Sequence, residues 1–158
     1  MTTILFVCTG NICRSPMAAG LLRRRLEDDP ERNGWRVLSA GTWAAEGRPA
    51  SEYSVAEMAD RGLDIRAHRS RSVNEQLMAE ADLVLVMTRN HAEALSAAFP
   101  DYADKVHMLS ELVGESHDIW DPYGGTRLEY TTVARELEQL IDEGYPRIVS
   151  LAEDSSSD

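Results

Sequence analysis

The sequence predicts a single-domain α/β protein, a three-layer sandwich with a central sheet of four parallel strands between helices. Short apolar runs alternate along the chain with segments of helical periodicity, and this order is typical of parallel strands joined by right-handed helical crossovers. The run at residues 83–87 lacks polar alternation, which favours a strand buried on both faces of the sheet. We therefore expect the ligand site at the carboxyl ends of the strands.

The individual elements follow from the same patterns. The predicted strands are the apolar runs at residues 4–7, 37–39, 83–87 and 106–108. The first helix is predicted to open at Pro16, and its apolar stripe consists of Met17, Leu21, Leu22 and Leu26. The other predicted helices cover residues 53–61, 91–98 and 128–141, with Gly62 and Gly144 as candidate stops.

Length and composition suit one domain over residues 1–152. The chain has 158 residues, of which 43% are apolar, enough for a core without covalent staples. Residues 153–158 are polar and acidic, and we expect a disordered tail there. The net charge of −11 argues against a general binder of nucleic acid or of anionic membranes. We also expect the protein to be a monomer.

The cysteines indicate a reducing compartment. Cys8 and Cys13 are the only two and lie five residues apart, so they do not resemble the disulfide framework of a secreted domain. No signal peptide or long apolar run is present, and the expected location is the cytoplasm. Three of the histidines show no metal-ligand spacing; they are His91, His107 and His117. We expect neither a metal nor another cofactor.

The segment between the first strand and the first helix carries the strongest functional signal. It contains Cys-x5-Arg, with Cys8 and Arg14 at the fixed positions. A helix N-terminus after a short loop binds anions, a cysteine there is favoured as a nucleophilic thiolate, and an arginine can hold two phosphate oxygens. The sequence therefore predicts an enzyme that takes a phosphoryl group onto sulfur. Loop amides are expected to stabilise its oxygens, from Thr9, Gly10, Asn11, Ile12, Cys13 and Arg14.

This loop, together with Asp121-Pro122-Tyr123 near the other end of the chain, resembles the low-molecular-weight protein tyrosine phosphatase family. The similarity extends from about Thr3 to about Gly144 and includes that family's phosphate loop and general-acid loop. The resemblance implies a flavodoxin-like fold and hydrolysis of phosphotyrosine in proteins through a phosphocysteine intermediate. It also implies a phosphorylated protein substrate and a cognate tyrosine kinase.

Several supporting roles are implied by the resemblance. Asn11 matches a family residue that adopts the left-handed conformation and holds the loop, and Ser39 and His68 match positions that brace it. Residues alone allow His68 to be an ordinary surface or core histidine. Ser15 has two interpretations: it caps the helix, or it donates to the sulfur of Cys8 and helps the thiolate to leave.

Asp121 is the candidate general acid. A carboxylic acid near the site can protonate the leaving group and then activate the water that hydrolyses phosphocysteine. Asp-Pro is also a common turn pair, and Asp118 is the alternative acid. Cys13 is either a small buried residue or, as the resemblance implies, a partner that traps the nucleophile as a disulfide under oxidation.

The sequence leaves two candidate substrates, phosphotyrosine and phosphoarginine. A wall tryptophan of mammalian members has no counterpart at Ala44-Ala45 unless Trp43 replaces it, and Gly124 leaves Tyr123 as the one aromatic after Asp-Pro. The segment from Asp121 to Thr126 also resembles bacterial members, including protein arginine phosphatases. Those have threonine where this chain has Ile12, whose apolar side chain suits an aromatic ring.

Two further hypotheses have less support. An arsenate reductase of the same fold needs downstream cysteines for a disulfide relay, and none follows Cys13. A non-catalytic anion-binding module would not need both Cys8 and Asp121.

Overall fold

The structure, a computed structural model, describes residues 1–156 and confirms the predicted α/β sandwich. Its sheet has four parallel strands in the order β2-β1-β3-β4. Their bounds are β1 Thr3–Cys8, β2 Arg36–Gly41, β3 Leu83–Val86 and β4 Val106–Met108. All four predicted strands are present, and β3 is buried along its whole length.

The described residues also form five α-helices and three short 3₁₀ segments. The helices are α1 Arg14–Glu27, α2 Glu52–Ala59, α3 Glu75–Glu80, α4 Arg89–Ala98 and α5 Arg127–Ser156. The 3₁₀ segments are Pro30–Arg32, Pro100–Lys105 and Leu109–Val113. Helix α3 is absent from the sequence predictions; it is short and is capped by Asn74, whose side chain accepts from the Leu77 N–H at 2.8 Å.

The alternating faces of the strands build two separate cores. Ile4 and Phe6 of β1 pack with the apolar sides of α1, α2 and α5. Leu5 and Val7 point to the other face, where they pack with residues of α3 and α4. Helices therefore cover both faces, as expected for a parallel sheet.

Strand β1 lies at the switch point of the sheet. The chain moves from β1 to β2 on one side and then to β3 on the other, and ligands of open α/β sheets bind at the carboxyl ends of such strands. Cys8 is the last residue of β1, so the topology brings it to this place.

Helix α5 corrects two predictions. Gly144 does not end it, and the helix continues through Pro146 to Ser156. A Cβ atom on Gly144 would lie 2.9 Å from the Cβ atom of Leu112. This glycine therefore permits close packing of α5 against Leu112 and does not end the helix. The helix also continues into the predicted disordered tail, where Arg32 Nη2 lies 3.0 Å from Glu153 Oε1.

Residues 157–158 of that predicted tail lie outside the described residues. Within the described part of the chain, no helix is both long and apolar enough to span a bilayer.

Candidate active site

The loop between β1 and α1 is shaped by Asn11. Its φ of 59° makes it the one non-glycine residue with a positive φ among residues 1–156. Asparagine tolerates this region better than most residues, although the conformation persists only where its surroundings hold it. Here the side chain and the carbonyl of Asn11 are both fully buried and hydrogen-bonded.

Four groups hold Asn11. Its Nδ2 donates to Ser39 Oγ at 3.0 Å and to Ser15 Oγ at 2.8 Å. Its Oδ1 accepts from the Arg71 backbone N–H at 3.0 Å, and its carbonyl accepts from His68 Nε2 at 2.6 Å. The structure therefore brings Ser39 and His68 against Asn11 as the resemblance implies, and it adds Arg71, which the sequence predictions omit.

The thiol of Cys8 is buried and has one side-chain partner. Its Sγ lies 3.0 Å from Ser15 Oγ. Because that oxygen already accepts from Asn11 Nδ2, its own hydrogen is free to be donated to sulfur. Helix α1 has no side-chain cap and begins at Arg14, one residue before Ser15, so the geometry supports the donor interpretation of Ser15 and not the capping one.

Arg14 is fixed by the loop that carries Asp121. Its Nη1 donates to the Ile119 carbonyl at 2.7 Å, and its Nη2 lies 3.5 Å from Asp121 Oδ2. The Ile119 N–H in turn donates to the Met87 carbonyl at the end of β3, at 2.9 Å. Among residues 1–156 the buried Nε of Arg14 has no partner, and an orphaned buried donor is available to an anion.

The two candidate acids have different surroundings. Asp121 lines the pocket above Cys8, and its Oδ1 accepts from the Tyr123 N–H at 3.1 Å. Asp118 accepts from the Arg89 N–H at 2.9 Å, at the first turn of α4. Asp118 does not line the pocket at Cys8, and the geometry favours Asp121.

The pocket at Cys8 has a volume of about 630 Å³ and two aromatic side chains in its lining. They are Trp43 and Tyr123, exposed by 86% and 65% respectively. Trp43 therefore lies at the pocket beside Ala44 and Ala45, which answers the question that the sequence left open. Ile12 contributes an apolar surface to the same pocket.

Cys13 is the last residue of the loop before α1, and its thiol contacts two hydroxyl groups. Its Sγ donates to Ser51 Oγ at 3.4 Å and lies 3.3 Å from Tyr130 Oη. Burial raises the pKa of this thiol, and the hydrogen bonds oppose that effect. Both cysteines are free thiols.

His91 is a residue at this site that sequence reasoning missed. Its Nε2 lies 2.8 Å from Oγ1 of Thr9, the residue that follows Cys8. Burial, assisted by the charge of Arg14, lowers the pKa of His91 to about 4, so the ring is neutral near pH 7. The available signal was its position after β3, because the end of that strand lies next to β1.

No cluster suited to a metal occurs in the described part of the chain: three or more His, Cys, Asp or Glu side chains do not converge anywhere within it.

Comparisons with known proteins agree on one family. The model of the low molecular weight phosphotyrosine protein phosphatase family matches residues 3–153. A protein-arginine-phosphatase of Geobacillus stearothermophilus is 42% identical over 140 residues, which cover 88% of this chain and 90% of the relative. A probable low molecular weight protein-tyrosine-phosphatase, EpsP of Ralstonia solanacearum, is 39% identical over 94% of this chain and 97% of the relative.

Solved structures give the same result. The crystal structure of a low molecular weight protein tyrosine phosphatase from T. tengcongensis superposes with a TM-score of 0.87 at 40% identity, covering 93% of this chain and 99% of that one. The YwlE arginine phosphatase from Geobacillus stearothermophilus superposes with a TM-score of 0.86 at 38% identity, covering 95% of this chain and 94% of that one.

Proposed function

The chain belongs to the low molecular weight phosphotyrosine protein phosphatase family, and from this premise we propose that it hydrolyses phosphotyrosine in proteins. The observation that supports this choice is the pair Trp43 and Tyr123 at the mouth of the pocket. Aromatic walls pack well against a phenyl ring. The family as a whole uses a cysteine nucleophile and acts on phosphorylated proteins.

In the first step the thiolate of Cys8 attacks phosphorus opposite the tyrosine oxygen. An S–P bond forms while the P–O bond breaks, and Asp121 gives its proton to the departing phenolate. Arg14 and the amides of the loop bind the three remaining oxygens and stabilise their charge in the transition state. The Ile119 carbonyl keeps the guanidinium of Arg14 in orientation.

In the second step water hydrolyses the phosphocysteine. The carboxylate of Asp121 takes a proton from that water, whose oxygen attacks phosphorus as the S–P bond breaks. The leaving thiolate receives the hydrogen bond of Ser15, whose Oγ lies 3.0 Å from Cys8 Sγ. Inorganic phosphate is released, and Asp121 is again protonated for the next cycle.

Phosphoarginine is the second candidate substrate, because relatives with up to 42% identity are named protein-arginine-phosphatases. The Ile12 side chain argues for phosphotyrosine. It presents an apolar surface to the pocket and has no hydroxyl to orient a guanidinium or an attacking water. Substrate binding weakens when a polar group of the substrate is buried without a hydrogen-bond partner.

A side-by-side assay tests this choice. We expect the wild-type protein to cleave phosphotyrosine peptides with a kcat/KM at least about tenfold above that for matched phosphoarginine peptides. Cys8→Ser should lose turnover and still bind vanadate, which excludes a contaminating phosphatase. A preference for phosphoarginine would overturn the phosphotyrosine proposal.

Ile12→Thr provides a matched variant for the same assay. It keeps the branched shape and adds a hydroxyl, so we expect the ratio of kcat/KM to move towards phosphoarginine. An unchanged ratio would show that Ile12 does not select the substrate.

The proposed reaction also requires an enzyme that supplies its substrate. We propose a cognate tyrosine kinase in the same compartment, and the nucleophilic thiol of Cys8 suits the reducing cytoplasm. All residues assigned to the site come from one chain, and we propose that a monomer is sufficient.

A further inference from the structure

A second groove, which we name the arginine groove, lies beside the active-site pocket. Its volume is about 400 Å³, and its lining includes Arg23, Arg69 and Arg71 together with His68 and Glu46. The mechanism proposed above uses none of the three arginine side chains.

The three guanidinium groups have no carboxylate partner within residues 1–156. Arg23 Nη2 donates to the Val37 carbonyl at 2.7 Å, Arg71 Nε to the Ser39 carbonyl at 3.1 Å and Arg69 Nη1 to the His68 carbonyl at 2.7 Å. Glu46 is the one carboxylate in the lining of the groove, so three guanidinium groups face a single acid and the groove has an excess of positive charge.

The charges in this groove affect each other. Burial is the main cause of the lowered pKa of Arg23, and the charge of Arg71 adds to it. His68 has a lowered pKa for the same main reason, with contributions from all three arginines. Glu46 is the acid in the lining, and its Oε1 accepts from the Ser72 N–H at 3.0 Å. A guest anion would therefore relieve repulsion between the arginines that the single carboxylate of Glu46 compensates only in part.

One chain segment lines both the arginine groove and the active-site pocket. Ala44, Ala45 and Arg48 line the active-site pocket, whereas Glu46 and Gly47 of the same segment line the groove. The two cavities share no lining residue, so a polypeptide bound in the pocket has to cross this segment to reach the groove.

We propose that the arginine groove binds anionic side chains of the protein substrate, next to its phosphotyrosine. This inference rests on the proposed phosphatase function and names a feature of its substrates: an acidic sequence near the phosphorylated residue. Guanidinium groups bind carboxylates and phosphates in the same bidentate way. A chain with a net charge of −11 repels acidic polypeptides at long range, so a local positive groove is needed to hold one.

The test compares two double variants that change the net charge equally. Arg23→Gln with Arg69→Gln removes two groove charges and leaves Arg71, whose backbone N–H holds Asn11. Arg36→Gln with Arg147→Gln is the matched control at two exposed positions outside the groove. The substrates are two phosphotyrosine peptides of equal length, one flanked by Asp and Glu and the other by Asn and Gln.

The measured quantity is the ratio of kcat/KM for the acidic peptide to that for the neutral peptide. We expect the groove variant to reduce this ratio roughly five- to tenfold at low salt, the size expected for two partly exposed charge pairs, and high salt to remove the difference. The control variant should leave the ratio near that of the wild type. Because both rates come from one sample, partial unfolding cancels.

An equal fall of the ratio in both double variants, or none in the groove variant, would overturn the proposal. A wild-type protein that cleaves only phosphoarginine would instead overturn the phosphotyrosine assignment. In that case, phosphoarginine peptides with the same acidic and neutral flanking sequences test whether the groove binds acidic side chains.

Discussion

Asp121 has an exposed carboxyl group whose Oδ2 lies 3.5 Å from Nη2 of Arg14, at the end of the loop that follows Cys8. Its side chain is 47% exposed, so it can reach both a leaving group and the water that follows. The partner of Asp118 is instead a backbone N–H of α4. This difference between two neighbouring carboxylates is open to a direct test.

We expect Asp121→Asn to slow the cleavage of phosphotyrosine by roughly 10²–10⁴-fold, the usual contribution of general acid–base catalysis. Nitrophenyl phosphate should be affected less, because nitrophenolate leaves more easily than tyrosine's phenolate, whose conjugate acid has a pKa near 10. Single-turnover rates separate this step from phosphocysteine hydrolysis. Asp118→Asn is the control, and a leaving-group dependence in that variant alone would mean that the acid is misassigned.

The family resemblance implies that Cys13 protects Cys8 against irreversible oxidation, and we propose a test of this role. Peroxide converts the Cys8 thiolate to a sulfenic acid, and attack by the Cys13 sulfur then forms a disulfide and releases water. We expect mass spectrometry after mild oxidation to show the loss of two hydrogens, with activity restored by a thiol. In Cys13→Ala the same treatment should give irreversible sulfinic acid at Cys8.

The protective role would be contradicted if wild-type protein gave sulfinic or sulfonic acid at Cys8 while Cys13 remained a free thiol.

Among the elements, α5 shows how packing overrides local helix signals. Gly144 and Pro146 both disfavour a helix interior, yet Tyr145, Ile148 and Ala152 are buried in the core that α1 and α5 share. Continuing the helix buries these three side chains, and that gain outweighs the local cost.

We expect Gly144→Ala to destabilise the protein by about 1–2 kcal/mol, the cost of overpacking a filled contact. Elsewhere in a helix the same substitution stabilises by about 1 kcal/mol. The sign of the change in the free energy of unfolding therefore reports the close approach of Leu112, whose Cβ would lie 2.9 Å from the new methyl group. Urea unfolding measures the change, and in a Leu112→Gly background the substitution should become neutral or favourable.

For the whole molecule, three histidines with lowered pKa values make folding sensitive to mild acid. Burial is the main cause at His68, His91 and His107. The pKa of His91 falls from the ordinary histidine value of 6.5 to about 4 in the folded protein. A lowered pKa contributes stability that is complete above the unfolded value and is lost as pH falls from 6.5 towards 4.

We therefore expect the free energy of unfolding to fall between about pH 7 and pH 5, with His91 contributing on the order of 2 kcal/mol. His91→Asn should remove this part of the decrease. Urea titrations of wild type and His91→Asn at both pH values measure it. Equal slopes in wild type and His91→Asn would contradict the prediction.

Local sequence was sufficient wherever a functional group depends on its immediate neighbours. Cys8 and Arg14 belong to one short loop between a strand and a helix, and the apolar runs predicted all four strands. Asp121 was proposed as the general acid through a second short motif, which the family resemblance supplied. The bracing of Asn11 by His68 was found only through the family resemblance, since 57 residues separate them.

The sequence by itself determined the layer order and the loop with Cys8 and Arg14, because hydrophobic periodicity and short motifs act over a few residues. Tertiary structure alone decided which distant side chains meet. It brings the start of α4 beside β1, so that His91 contacts Thr9 across 82 positions of sequence. It also gathers Arg23, Arg69 and Arg71 in one groove and extends α5 past Gly144. These outcomes depend on the register of strands and on the burial of faces, which are energies of the assembled fold and not of any single segment.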